Sequence, residues 1–376
     1  MKIAIIGSAY PFRGGLATYN ERLAKAFQDQ GEDVTLYTFT LQYPNFLFPG
    51  KTQYSSDPAP NHLNIVECIN SVNPLNWIAV GNKIRKANPD LVVIKFWLPF
   101  MGPCYGTILR LIKSNRHSKV INIIDNMIPH EKRPGDRIFT KYFVKPVDAF
   151  IAMSQTVLDD VDQFDTVKPR LLSPHPLYDN FGDIAPKKEV LQKLGLDDSF
   201  QYMLFFGLIR DYKGLDILIE AFADQRFRNT KIKLIVAGEY YADRDKYVNL
   251  IKKHRLEKDI IQVDKFIPDS EVALYFNACD LVVQPYKAAT QSGVTQIAYH
   301  FNKPMIVTNV GGLSEMCPDG KVGYVVPPDP TSIADAALKF FNQTDREAMI
   351  ENIIGEKQKY SWDILTDAIY GLARKI

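Results

Sequence analysis

The sequence predicts an α/β chain of two doubly wound, Rossmann-like parallel sheets facing a central cleft. Three observations carry this prediction. Short apolar runs alternate with segments of helical spacing along the whole chain, as in successive β-loop-α-β units. Glycine-bearing loops follow two of those runs, Lys2–Ile6 and Tyr202–Phe206, directly. Between the halves lies Pro169–Asp183, rich in proline and turn formers, where the first sheet is expected to end and a linker to begin. A chain of 376 residues accommodates two domains of ordinary size. The expected division is residues 1–180, residues 181–358 and a closing helix over 359–376.

In the first half, strands are expected at Lys2–Ile6, Val34–Phe39, Leu63–Glu67, Leu91–Phe96, Val120–Ile124 and Ala149–Ala152. Leu16, Tyr19, Leu23 and Phe27 mark one face of a helix that stops at Gly31. Further helices are expected over Pro74–Ala87, Tyr105–Ser114, Phe139–Val144 and Thr156–Phe164. Gln42–Asn61, rich in Pro, Tyr and Ser, reads as a long loop, a kind that is often functional. The second half restarts the alternation. Strands Tyr202–Phe206, Lys233–Ala237, Ile260–Val263, Leu281–Gln284 and Met305–Val307 are separated by helices Leu215–Ala223, Tyr247–His254, Ser270–Asn277 and Gly293–Phe301. Gly323–Val326 precedes a Pro-Pro-Asp-Pro turn, helix Thr331–Gln343 follows, and a helical stretch over Asp345–Ile376 closes the chain.

Composition excludes several function classes. Hydrophobic content of 46% and charged content of 23% belong to a globular protein with full cores. Net charge is only +2, which gives no footprint of a nucleic-acid binder. Cys68, Cys104, Cys279 and Cys317 are scattered without metal-ligand spacing, against both a zinc site and a disulfide framework. The start, MKIAIIGSAY, reads as a buried strand rather than a leader. The most apolar run, Leu91–Phe100, contains Lys95 and is too short to span a bilayer. The expected address is therefore the cytoplasm, with the inner face of the membrane as a second possibility. Basic segments at Lys83–Lys86, Arg110–Lys119 and Lys132–Lys145 suggest a peripheral contact with anionic lipid.

Chemistry is expected in the strand-end loops. Gly207 to Gly214 carries Arg210 and Lys213 between an apolar strand and a helix start. Free backbone N–H groups, the positive end of a helix dipole and two cations make an anion site there, better suited to a diphosphate than to a lone carboxylate. The Gln291-Ser292-Gly293-Val294 turn opens another helix whose N–H groups can hold the same diphosphate. Gly14 and Gly15 sit before a helix and permit close backbone approach, but the segment lacks the dinucleotide fingerprint, against a dehydrogenase. His130, after a strand and beside Asp125 and Glu131, is a candidate for binding hydroxyls or moving a proton. Two Asp-x-Asp triplets, Asp160–Asp162 and Asp243–Asp245, fall away from the strand-end loops and read as solvated faces, so no metal is expected.

GLIRDYKGLDILIEAF, VAGE, VGYVVPP and KPMIVTNVGGLSEM resemble the C-terminal half of the retaining glycosyltransferases of family 4, also called glycosyltransferase group 1. The Gly14-Gly15 helix and the loop with His130 fit the same family. The resemblance implies a GT-B fold, with a nucleotide-sugar donor as co-substrate on the C-terminal domain and an acceptor, a glycan or a lipid-linked sugar, on the N-terminal one. It implies further that the final helix returns to the first domain. Matched by motif, Arg210 and Lys213 would hold the donor diphosphate, and Gly14 and Gly15 would sit near phosphates or acceptor. His130 would lie near the donor sugar, with Asp125 competing for that place. Gly207 and the Gln291–Val294 turn complete the expected donor set. The chain departs from the family at its paired glutamates: a match anchored on Lys303-Pro304 puts Thr290 and Ile297 there, neither of them acidic, with Gln291 and Gln296 as neighbouring substitutes. The expected activity is transfer of a sugar from a UDP- or GDP-sugar with retention, without metal, in polysaccharide synthesis. The alternatives are a sugar-nucleotide epimerase of the same fold and a non-catalytic binding subunit.

Overall fold

The computed structural model describes residues 1–44, 48, 52–128, 133–241 and 243–376. Parts of the expected loop Gln42–Asn61, and His130 with its neighbours 129–132, lie outside the described residues. The chain divides into two compact units, Met1–Pro176 with Tyr360–Ile376, and Leu177–Lys359.

The first unit runs β1 (Lys2–Ile6), α1 (Gly15–Asp29), β2 (Asp33–Leu41), β3 (Ile65–Asn70), α2 (Pro74–Ala87), β4 (Leu91–Phe96), α3 (Gly102–Lys113), β5 (Lys119–Ile124), α4 (Asp136–Val144), β6 (Ala149–Ala152), α5 (Gln155–Val161) and β7 (Arg170–Leu172). Its seven-stranded sheet has the order β3-β2-β1-β4-β5-β6-β7. The strands pair in parallel throughout. Near-continuous burial of β1 and β4 fits strands covered on both faces.

Two expectations are corrected here. Arg170–Leu172, placed in the linker, forms an edge strand parallel to β6. Two exposed leucines in a three-residue strand leave no apolar period to read. The third strand begins at Ile65 and ends at Asn70 rather than spanning Leu63–Glu67, and it continues past Glu67 through a shift in register against β2 between Thr38 and Leu41.

The second unit runs α6 (Lys187–Leu194), β8 (Gln201–Phe206), α7 (Leu215–Phe222), β9 (Ile232–Ala237), α8 (Arg244–His254), β10 (Ile260–Val263), α9 (Asp269–Ala278), β11 (Leu281–Gln284), α10 (Gly293–His300), β12 (Met305–Thr308), β13 (Gly323–Val326), α11 (Pro330–Gln343) and α12 (Arg346–Glu356). Its strand order is β10-β9-β8-β11-β12-β13, again parallel. Helix α6 is absent from the sequence reading: only Val190 and Leu191 of it are buried, too few for a helical period.

The expected single stretch Asp345–Ile376 is broken. A 3₁₀ turn at Lys357–Tyr360 separates α12 from α13 (Trp362–Lys375), which restarts on a Ser361 cap whose hydroxyl accepts from the Ile364 N–H. Helix α13 belongs to the first unit. Trp362, Leu365, Ile369 and Leu372 are buried on one stripe, each contributing about 1.5–3 kcal/mol relative to exposure. Trp362 packs on Tyr19 with ring centroids 5.2 Å apart, Thr366 Oγ1 accepts from Gln30 Nε2 at 2.8 Å, and Tyr370 donates to Glu32 at 3.1 Å.

Candidate functional site

In each unit the strand order reverses beside the first strand, at β1/β4 and at β8/β11. In sheets of this kind such a reversal marks the place, outside the carboxyl ends of the strands, where ligands bind.

In the second unit the loops after β8 and β11 are pressed together. Gly207 lies at φ +97°, a conformation L side chains rarely adopt. A Cβ placed on it would stand 3.1 Å from Lys213 Nζ and 3.9 Å from Val294 Cγ2. The structure thus brings Gly207, Lys213 and Val294 to one point. Val294 is in the first turn of α10, so the Lys213 ammonium and that helix start both flank Gly207. Gly214, at φ +67°, caps α7, and a Cβ there would fall 1.9 Å from the Pro285 carbonyl oxygen. Lys287 N donates to Tyr212 O at 2.7 Å, which ties the two loops together.

Lys213 is only partly buried as a residue, but its ammonium end turns inward, 5.5 Å from the Tyr286 ring centroid. Burial pulls its pKa below the ordinary lysine value; Tyr212 opposes the shift and the Arg210 guanidinium adds to it. A bound dianion would reverse that depression. Arg210 is exposed, 5.3 Å from the Tyr241 ring centroid. The loop between them is held by ion pairs that the sequence reading did not single out: Asp211 and Asp216 each meet both Lys246 and Lys287, at 2.6–3.2 Å. These residues come from α7, α8 and the two loops, and nothing in their spacing along the chain reveals the meeting.

Ser292 caps α10 and its hydroxyl lies 3.4 Å from Tyr286 OH. A Cβ on Gly293 would stand 2.8 Å from Tyr178 Cε2, so glycine admits that ring against the helix start. Gln291 is half-buried before the turn. Gln296 is placed differently: it is fully buried, with its amide nitrogen 3.9 Å from Met316 Sδ. Ile297 is buried as well. Gly311, at φ +48°, presses the 3₁₀ turn Gly311–Met316 onto the Ala289 carbonyl.

In the first unit, Gly14 caps α1 at φ +96° with open space around it, and Gly15 is the first helical residue. The preceding loop is pinned: Ala9 N donates to Thr38 Oγ1 at 2.9 Å, Tyr10 N to Glu21 at 2.6 Å and Asn20 Nδ2 to Ser8 O at 2.8 Å. Asp125, directly after β5, forms an ion pair with Lys95 of β4 at 2.9 Å. Lys95 is almost wholly buried, with its ammonium 3.3 Å from the Tyr19 ring centroid. Burial lowers the Lys95 pKa, and Asp125 opposes the shift. His175, also buried, donates from Nδ1 to Pro176 O at 2.7 Å and is pushed down to about 3, chiefly by burial and then by Lys95.

His175 supplies a pH prediction. In the folded chain it stays neutral far below the 6.5 at which an unperturbed histidine titrates. The unfolded chain therefore binds more protons, so this contribution to stability is complete above pH 6.5 and is lost as pH falls towards 3. The melting temperature of the native chain should fall more steeply from pH 6.5 to 4.5 than that of His175→Gln. Parallel pH profiles would contradict the buried neutral state.

Among the described residues no group of His, Cys, Asp and Glu is arranged to hold a metal ion, and Cys68, Cys104, Cys279 and Cys317 are free thiols. No helix among them is long and apolar enough to cross a membrane.

Comparison with known proteins places this arrangement. The family described as "Glycosyl transferases group 1" matches residues 186–355, and "Glycosyltransferase Family 4" matches residues 13–173. An uncharacterized glycosyltransferase of Methanocaldococcus jannaschii is 26% identical over 368 residues, 96% of this chain and 95% of that one. A lipopolysaccharide 1,2-N-acetylglucosaminetransferase of Salmonella typhimurium is 28% identical over 193 residues, covering 47% of this chain and 49% of its own. Among solved structures, HepE of Anabaena in complex with UDP superposes with a TM-score of 0.76 at 17% identity over the whole of both chains. Sucrose-phosphate synthase of Thermosynechococcus elongatus does so with a TM-score of 0.76 at 17% identity, covering 99% of this chain and 98% of that one. These neighbours share the two-sheet GT-B fold. The chain is a glycosyltransferase of the group 1/family 4 class.

Proposed function

We propose that the chain transfers a sugar from a UDP- or GDP-sugar to a hydroxyl of a glycan or lipid-linked acceptor in cell-surface polysaccharide synthesis. The transfer retains anomeric configuration and uses no metal. One observation carries the reading: the Lys213 ammonium lies beside Gly207 and the first turn of α10, where a diphosphate would meet a cation and free N–H groups together. The presence of UDP and UDP-glucose in the HepE structures supports this choice of donor. The Salmonella relative's lipopolysaccharide acceptor supports the choice of acceptor.

In the proposed reaction the bond from the anomeric carbon to the diphosphate oxygen breaks. A bond to the acceptor oxygen forms on the same face, and the acceptor proton passes to the departing diphosphate. Arg210 and Lys213 stabilise the charge that develops on that leaving group. The second unit is assigned the donor and the first the acceptor, with His130, or Asp125 in its place, assigned to substrate hydroxyls or proton transfer. The enzyme is assigned to the cytoplasm, in peripheral contact with the membrane that carries its acceptor.

A second reading, a non-catalytic nucleotide-sugar-binding subunit, is favoured by the apolar, buried Ile297 where the family carries a glutamate. One experiment separates them. The protein is incubated with a panel of UDP- and GDP-sugars, with and without lipid-linked acceptors. The transferase reading expects nucleotide release that depends on acceptor, with an α-linked product from an α-linked donor. Binding without product across the panel would overturn it in favour of the second reading; isomerised donor without acceptor would indicate an epimerase.

A further inference from the structure

The first unit carries a net positive charge, 22 Lys and Arg against 17 Asp and Glu, and the structure separates the cations engaged internally from those left outside. Arg110 donates to the Gly106 and Tyr142 carbonyls and stacks on the Tyr142 ring. Lys113 is paired with Asp148, and Lys119 donates to the Ala373 carbonyl at the end of α13. Helix α4 differs. Arg137, Lys141 and Lys145 follow at i, i+4 and i+8, so they lie above one another on one face. All three are exposed, and none forms an ion pair among the described residues.

Beside this basic row runs an apolar one. Ile138 is 70% exposed, and Phe139 and Tyr142 are each more than a third exposed. The opposite face is fixed in the core by Phe143, which stacks on Phe96 at 4.2 Å, so the outward face cannot turn in. A second element joins it. Arg137 lies 5.8 Å from the Phe164 ring centroid, and Lys168 Nζ donates to the Val144 and Lys145 carbonyls at the end of α4. Val167, next to that lysine, is 90% exposed.

The neighbouring acids are engaged: Asp136 accepts from the Arg133 N–H, Asp148 pairs with Lys113, Asp162 with Arg170 and Asp165 with Lys168. Single exposed apolar residues need no explanation. Here they alternate with cations on two adjoining elements, and among the described residues the acids named beside them are hydrogen-bonded or ion-paired, which is the composition of a face that rests in a lipid interface.

We propose that the outward face of α4, together with Val167 and Lys168, docks on an anionic lipid bilayer. Arg137, Lys141 and Lys145 meet the headgroups, and Ile138 and Val167 enter the boundary of the acyl region. This rests on, and locates, the peripheral contact in the proposed function.

The test is co-sedimentation of the full chain with phosphatidylcholine vesicles containing 30% phosphatidylserine, at low salt, without sugar nucleotide. Three proteins are compared: native, Arg137→Ala/Lys141→Ala/Lys145→Ala, and a control of equal charge loss in the second unit, Lys193→Ala/Lys252→Ala/Lys253→Ala. Native chain and control should bind, more weakly as salt rises. The α4 variant should lose about 100-fold in partitioning, since each cation near the surface contributes roughly fivefold. Native chain that ignores anionic vesicles would overturn the peripheral reading itself. Equal losses in both variants, or none in the α4 variant, would overturn only the assignment to this face. Matching melting temperatures establish that the variants are folded, and a triple variant that melts early is replaced by Lys141→Glu alone, read in the same way.

Discussion

Lys213→Ala is expected to lower turnover by roughly 10²–10³-fold, the loss seen when one preorganised donor to a developing negative charge is removed. Arg210→Ala should also reduce turnover sharply. The effect is set by position. The Lys213 ammonium is held inward beside Gly207 and the start of α10, in surroundings that already pull its pKa down. A cation in such a place interacts more strongly with a leaving diphosphate than one in water. Because that charge grows as the bond breaks, the loss should fall on kcat as well as on KM. The fold should survive: Lys213 forms no ion pair among the described residues, and its loop is held by Asp211 and Asp216 to Lys246 and Lys287. Near-native turnover in both single variants, measured with a working donor and acceptor, would reject the assignment.

Asp125→Ala is expected to destabilise the first unit by about 3–5 kcal/mol, since it leaves the buried Lys95 ammonium without its counter-charge. For a unit of this size that corresponds to roughly 10 °C in melting temperature. Lys95→Met combined with Asp125→Leu should recover most of the loss, because both charges then leave the interior together. The pair is costly to break rather than strongly stabilising. A single Asp125→Ala variant that melts within about 2 °C of the native chain would show that Lys95 is solvated or neutral in the folded protein. The Tyr19 ring above the lysine offers partial compensation through its π face, so the destabilisation should rise further in Asp125→Ala/Tyr19→Leu.

Much of the fold was legible because doubly wound sheets write themselves as apolar runs. The boundaries Lys2–Ile6, Leu91–Phe96, Ala149–Ala152, Ile260–Val263 and Leu281–Gln284 coincide with the strands observed. Helix Pro74–Ala87 is likewise delimited by local chemistry, with an Asn73 cap, a proline at the first position and Asn88 in the left-handed region at the end. What escaped had no local period. Strand β7 is an edge with two exposed leucines, and α6 buries too little of itself. The break before α13 is made by a 3₁₀ turn whose sequence, KQKY, is helix-compatible.

The candidate site divides in the same way. The glycines announced the strand-end loops, and Gly207, Gly214 and Gly311 each stand where an L side chain would strain the backbone or collide. Their chain neighbours Arg210 and Lys213 were visible with them. The side chains that brace those loops were not. Lys246 and Lys287 reach Asp211 and Asp216 across 30 to 76 residues of sequence, and only the sheet order brings them together. Gln296, offered by the sequence as a substitute for a family glutamate, is fully buried with its amide nitrogen against Met316, a placement that its spacing along the chain does not reveal.

The central claim is that the edge of the second sheet holds a nucleoside diphosphate through Lys213 and the start of α10. Thermal denaturation with and without millimolar UDP or GDP tests it most directly, since a ligand bound only by the folded state raises the melting temperature. The native chain should gain several degrees with one of the two nucleotides, and Lys213→Ala should gain little or nothing at the same concentration. Melting unchanged by both nucleotides, or a gain that Lys213→Ala shares in full, would contradict it.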